Sequence, residues 1–326
     1  MIHRKKTLIF MFFLLILFIP SLLNSLDKKN KSQQKRKIPS KIAKIFDEEI
    51  LTRETKTEIP INIIRIIYLP AQENNIYPVF IMEAKNSDIG FVESSKDKKM
   101  LFANLNIYAR FYKMENKNIA GTYKEINIPY QAEEKKEGYN PEEKNFYTFG
   151  YTLAPGAYVI LIAFSSEDLN RIGTALAEFS LPDTSQQKLD TTTIFFVKSI
   201  EELSAPEKIL KLEKNCFTYG NLKFEPKKEN VFSPSENLDI FYFVVGSATN
   251  PQTGKIELEI NYSLKKGEET ITRFPPQSLD IPIISQPIPL ISEGKNLEPG
   301  DYSLSIDILD KISKNSIKKD IPFQVK

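Results

Sequence analysis

The chain has 326 residues, with 44 Lys or Arg against 42 Asp or Glu, one His, one Cys and no Trp. A 41% apolar and 26% charged composition is that of a globular protein of about two domains, and it excludes a disordered or fibrous chain. His3 as the one imidazole and Cys216 as the one thiol exclude an intrachain disulfide, a His- or thiolate-ligated zinc site, and Ser-His-Asp or Cys-His machinery.

At the N-terminus Arg4, Lys5 and Lys6 precede an unbroken apolar run over residues 8–19, which Pro20 ends, and residues 21–25 (SLLNS) follow. A cationic head, about a dozen apolar residues and a small-residue region are the layout of a secretory signal peptide, expected over residues 1–25. The alternative is an uncleaved anchor; a spanning helix wants about 20 apolar residues, and this run turns polar by Asn24. Cleaved, the chain is expected in the periplasm or outside a bacterial cell, touching membrane only through the segment if it is retained.

Residues 26–44 carry Lys28, Lys29, Lys31, Lys35, Arg36, Lys37, Lys41 and Lys44 against Asp27 alone. Such a segment is a basic linker, placed over residues 26–58, because Lys, Gln, Ser and Asn cannot bury enough surface to fold. It has the charge to meet an acidic membrane or nucleic acid, but an exported protein meets little nucleic acid, so none is expected as a partner. Within it Ile42, Ile45, Phe46 and Ile50 recur at helical spacing, predicting a short helix over residues 42–51.

Beyond the helix the hydrophobic period becomes two. Leu105, Ile107, Ala109 and Phe111 alternate with Asn106, Tyr108, Arg110 and Tyr112, and the same pattern runs through Ile256, Leu258, Ile260, Tyr262 and Leu264 and through Tyr302, Leu304, Ile306 and Ile308. Alternation puts one face in a core and the other in water, as in antiparallel sheets. Residues 158–164 (YVILIAF) and 240–245 (IFYFVV) are apolar on both faces and suit central or doubly covered strands. Turn chemistry separates these runs, at residues 250–254 (NPQTG) and 265–268 (KKGE), and the 20 prolines suit edges and loops.

A repeat organises this part of the chain. Leu153, Pro155, Gly156 and Tyr158 recur as Leu297, Pro299, Gly300 and Tyr302, and a final strand follows each copy at the same distance, marked by Phe179 and Phe323. Pro presets φ and Gly permits the positive φ of a type II turn, while Tyr starts the return strand with its ring inward and its hydroxyl free for a nearby carbonyl. The expected architecture is all-β: two tandem immunoglobulin-like β-sandwiches, over residues 59–200 and 208–326, behind the signal peptide, linker and helix.

The Leu-x-Pro-Gly-x-Tyr turn is similar to the Pro-Gly…Tyr turn of fibronectin type III domains, with one fewer residue before Tyr. The chain more closely resembles exported bacterial proteins with tandem immunoglobulin-like domains behind a Gly-Trp-x-Thr-Asp region or a von Willebrand A-like domain. The residues that carry this likeness are Ile172-Gly173-Thr174, Leu181-Pro182-Asp183 and the segment 189–196 (LDTTTIFF). Without Trp the namesake motif is absent. The resemblance covers about residues 101–326, implies tandem sandwiches and brings no catalytic residues.

No G-x-G-x-x-G, P-loop, G-x-S-x-G or H-E-x-x-H motif occurs, so no enzyme activity, cofactor or metal is expected. Glu133, Glu134, Glu142 and Glu143 crowd the polar insertion over residues 131–145, read as a solvated loop rather than the tuned acid pair a glycosidase needs. Asp301, Asp307 and Asp310 do not match an EF-hand spacing. Tyr108, Tyr112, Tyr147 and Tyr151 remain as candidate contact residues, either exposed for peptide or sugar or covered by a second layer such as the 42–51 helix. The expected function is a non-catalytic module binding another envelope or extracellular protein, with carbohydrate recognition through exposed Tyr as the alternative and a hydrolase using the loop carboxylates as a remoter one.

Overall fold

A computed structural model describes residues 38–183, 188–206 and 209–326. The expected signal peptide and the linker up to residue 37 lie outside the described residues. The described residues divide into two compact units, one from residues 38–66, Ala71–Leu181 and Glu201–Lys223, the other from Ile67–Pro70, Pro182–Ile200 and Phe224–Lys326. The single cut expected between residues 200 and 208 is therefore replaced by an interleaved one. The reason is strand pairing: Phe195 and Phe196 pair with Phe241 and Ile240 in the second unit, while Glu213 and Lys214 pair with Thr148 and Tyr147 in the first.

In the first unit, helix α1 (Ser40–Thr52) precedes strands β1 (Asn62–Pro70, of which residues 62–66 belong here), β2 (Ile76–Lys85), β3 (Met100–Glu115), β4 (Asn118–Lys135), β5 (Lys144–Gly150), β6 (Gly156–Ser166) and β7 (Ile172–Leu181). One sheet runs β1–β2–β5, and the other runs β4–β3–β6–β7. Phe80 of β2 meets Phe149 of β5 within its sheet and Phe111 of β3 and Phe179 of β7 across the gap, at ring-centroid distances of 5.3–5.7 Å. Fully burying such a side chain contributes about 1.5–3 kcal/mol, so these rings form much of what joins the two sheets.

Helix α1 forms a third layer. Ile42, Ile45, Phe46, Glu49 and Ile50 are its buried residues, and they pack with Tyr108, Tyr112, Val159, Leu161, Ala163 and Ile172 from the outer face of β3, β6 and β7. The helix has no side-chain cap at its start and ends where Arg53 turns to φ 63° and donates its N–H to Glu49 O, so tertiary packing rather than capping holds it. The strand face expected in water is thus covered: Tyr108, Arg110 and Tyr112 are buried along with Leu105, Ile107 and Phe111.

In the second unit the strands are β8 (Phe195–Glu202, of which residues 195–200 belong here), β9 (Val231–Phe232), β10 (Asn237–Val245), β11 (Leu258–Lys266), β12 (Glu269–Arg273), β13 (Ile283–Pro289), β14 (Gly300–Asp310) and β15 (Ser316–Val325). They form sheets β8–β10–β13 and β9–β15–β14–β11–β12, with β9 parallel to β15 and the other pairs antiparallel. This is the strand order of an immunoglobulin-like sandwich whose first strand is split between the sheets, and the first unit has the same β1–β2–β5 and β4–β3–β6–β7 plan. The Tyr242 and Tyr262 hydroxyls meet at 3.1 Å inside, one from each sheet. Here alternation gives what it predicts, with Leu258, Ile260, Tyr262 and Leu264 buried and Glu259 and Asn261 half-buried on the other face.

Candidate functional site

The repeated turns build two matching corners. Tyr158 donates its hydroxyl to Ala154 O and Tyr302 to Glu298 O, each at 2.9 Å, and Leu153 and Leu297 are buried beside them. Gly156 and Gly300 have φ of 141° and 158°, more extended than the value near +80° of the expected type II turn. A Cβ at Gly156 would meet the Tyr158 ring at 3.7 Å, an ordinary contact, so what favours glycine here is the φ of 141°, which L-residues rarely adopt. Burial, with Tyr123 close by, pushes the Tyr158 phenol up to about 12. The corners are structural: their polar atoms are spent on the turn itself.

The candidate contact tyrosines are all buried. Tyr108 and Tyr112 lie under α1, and the Tyr112 hydroxyl accepts from Arg110 at 3.1 Å. Tyr147 packs edge-on against Tyr130 and Phe164 with its hydroxyl buried and unpartnered, and Tyr151 stacks on Phe111 at 5.6 Å. Of the two expectations for Tyr108 and Tyr112, exposure to solvent is corrected and cover by the helix is what the structure has, because that face is the floor on which α1 packs. None of the four is placed to meet a sugar.

Of the four candidate carboxylates over residues 131–145, Glu133 is exposed on β4 and the other three are tied to the fold. Residues up to Lys135 belong to β4 and those from Lys144 to β5, so the expected solvated loop shrinks to residues 136–143. Glu134 is ion-paired with Lys214, Glu142 with Lys85 at 2.6 Å, and Glu143 accepts from Asn86 Nδ2 at 3.3 Å. Asn86 Nδ2 also donates to Asn140 O, and a relay of amides runs from Asn215 to Asn145 to Asn86. In the second unit Asp310 is fully buried; Oδ1 accepts the N–H groups of Ile312 and Ser313, and Oδ2 accepts the Ala248 N–H and the Ser313 hydroxyl. Asp301 pairs with Gln324 and Asp307 with Lys318, so the three do not converge. Among the described residues no group of three potential metal ligands is assembled.

Three residues that the sequence does not mark as site residues hold the helix layer. Arg110, 5% exposed, reaches Asp47 of α1 and Glu125 of β4 at 2.6 Å and lies over the Phe46 ring. Glu49 lies on the apolar stripe seven residues after Ile42, a placement the helical period already marks. Gly173 of β7 carries the strap that follows α1: a Cβ there would fall 1.6 Å from Ile59 O, and Thr57 bridges Gly173 directly.

The feature left open to a partner is an edge. β4 is 18 residues long and is hydrogen-bonded to one strand, β3, among the described residues. Its residues 118–123 are exposed on both faces, including Ile119 and Tyr123. The opposite edge, β7, is partly paired by the strap, and in the second unit β13 is interrupted by Pro287 and Pro289. Prolines, bulges, charges and covering segments are how sheets blunt an edge; β4 has Pro129 and two register shifts that skip Ala120 and Tyr123, and it pairs with β3 without interruption from Lys124 to Lys135.

The described chain is mostly β, built as sandwich-like sheets with helix α1 and a short helical turn at Asn86–Ile89. No family model matches the sequence, and no curated protein is similar to it. Among solved structures, the Clostridium thermocellum CbhA fibronectin(III)-like modules align at 11% identity over 76% of this chain and 85% of that one, with a TM-score of 0.18. A TM-score that low is no evidence of a shared fold; the sandwich assignment stands on the strand order of the chain itself. No helix among the described residues is long and apolar enough to cross a membrane.

Proposed function

We propose that this chain is a non-catalytic exported module that binds another envelope or extracellular protein by adding a partner strand to the open edge of β4. The observation that carries the reading is the length of this edge, 18 residues hydrogen-bonded on one side, against nine residues in the edge strand β1 and five in β12. An unpaired edge offers a row of main-chain donors and acceptors, and strand addition draws affinity from these and selectivity from alternate side chains. Ile119 and Tyr123 are the exposed apolar side chains of that edge. The N-terminal apolar run supports export, and the absence of a histidine-based centre after residue 3 fits a binding role.

The test is site-specific photo-cross-linking in the envelope of the producing cell. A photoreactive residue at Ala120 or Thr122 is expected to give one discrete protein adduct, lost when Ile119→Lys is added, and a probe at Gln252 is expected to give none. Equal labelling from Gln252, or no adduct from β4, overturns the edge. Turnover of a substrate by the mature protein, abolished by Glu133→Gln with Glu142→Gln, overturns the non-catalytic reading itself.

A further inference from the structure

The contact between α1 and the sheet has one polar defect. Glu49 lies on the packed face of the helix and is 3% exposed. Its Oε1 accepts the Thr174 hydroxyl at 2.6 Å and the Lys56 N–H at 3.1 Å, while Oε2 is buried with no partner. Thr174 and Lys56 also bind each other, through Thr174 N–H to Lys56 O and Lys56 N–H to Thr174 Oγ1, so the carboxyl closes the joint between helix, strap and β7. A buried carboxylate oxygen without a donor costs more when ionised than when neutral.

We propose that Glu49 makes α1 a pH-responsive clasp, holding the helix on β6 and β7 more tightly when its carboxyl is neutral than when it is charged. Burial pushes this carboxyl above the ordinary glutamate value; the bonds from Thr174 and Lys56 and the Lys56 charge pull it back in part, and Glu48 adds to the rise. The other charged or titratable groups around the joint are Asp47 and Arg53 on α1, Arg110 and Tyr112 on β3, Glu125 on β4, Glu178 on β7 and Glu58 in the strap. A carboxyl raised in the docked state binds its proton more tightly there than in the released state. Docking is therefore strongest below the released-state value, weakens as pH rises from that value to the docked one, and is level above it. Release uncovers the apolar floor of Tyr108, Val159, Leu161 and Ile172.

Amide exchange of residues 42–52 in the full chain, converted to opening constants between about pH 4 and pH 8, tests this, alongside carbon-13 titration of the Glu49 carboxyl. Opening in the wild type is expected to rise about tenfold for each pH unit separating the docked and released carboxyl values. In Glu49→Gln it is expected to stay flat. A flat wild-type profile, or a Gln variant that keeps the rise, overturns the proposal. Thr174→Val keeps the carboxyl but removes a bond that favours its ionised form, so its rise is expected to extend to higher pH; an unchanged profile overturns the proposal even if the Gln variant fails to fold.

Discussion

Tyr158 and Phe179 face each other in register across β6 and β7 with their rings stacked at 5.6 Å, and Tyr302 and Phe323 repeat the relationship across β14 and β15 at 5.7 Å. Each tyrosine then bonds the carbonyl four residues upstream. The turn, the ring and the final strand thus form one packing unit, used twice. Tyr158→Phe and Tyr302→Phe keep the ring and lose the bond, so each is expected to destabilise its own unit by about 1 kcal/mol in urea unfolding. Phe179→Ala removes the stacked ring and is expected to cost about 3–5 kcal/mol.

The glycines separate two physical effects. Gly173→Ala drives a Cβ into the Ile59 carbonyl and must displace the strap, which is expected to cost about 1–3 kcal/mol and to raise amide exchange in residues 56–61. Gly254→Ala meets open space and bears only the strain of φ 68°, so a cost of about 1 kcal/mol with no change in exchange elsewhere is expected. Equal effects from the two would sink the close-approach explanation.

Arg110 is buried, yet its partner Asp47 is largely exposed, so removing the arginine strands no buried charge on the helix side. Arg110→Met is expected to cost about 2 kcal/mol, from lost hydrogen bonds and packing on Phe46 rather than from an orphaned carboxylate. Limited proteolysis within α1 should accelerate to match.

Phe46→Ala is expected to loosen the whole helix, at about 3–5 kcal/mol, because the ring is fully buried in the layer. Leu51→Ala, on the exposed side, is expected to change stability by less than about 0.5 kcal/mol. Thermal unfolding of the two variants side by side measures the contrast.

Acid titration should single out Asp310. Burial raises its carboxyl, but the bonds from Ala248, Ser313 and Ile312 outweigh this and hold it below the usual carboxylate value. A depressed folded-state value stabilises the second unit above the unfolded-state value, and the gain is lost as pH falls through the folded one. Urea midpoints of the wild type should therefore drop below about pH 4, and Asp310→Asn should make that limb shallower while Asp190, Glu236, Asp280 and Asp320, also held low, keep the rest of it. Parallel acid limbs in the two proteins would remove Asp310 as the cause.

Much of the plan was readable from the order of residues. Period two at Leu258–Leu264 and Tyr302–Ile308 corresponds to one buried face, since side chains on a strand must alternate and one face of that sheet is polar. The duplicated Pro-Gly-x-Tyr corner was readable because a turn is a local object whose conformers depend on a few neighbouring residues. The run at residues 158–164, apolar on both faces, announced a strand covered twice, and Ile42, Phe46 and Ile50 announced a helix with one greasy side. What linear pattern cannot carry is which covers which. For Tyr108 and Tyr112 the pattern leaves solvent and a covering helix equally open until α1, some 60 residues earlier, is laid over them, and Glu49 looks like an ordinary surface acid until Thr174 closes on it. The interleaving of residues 182–223 between the two units was equally hidden, because strand partners separated by many residues are selected by the packing of the whole sheet, and no local rule names them.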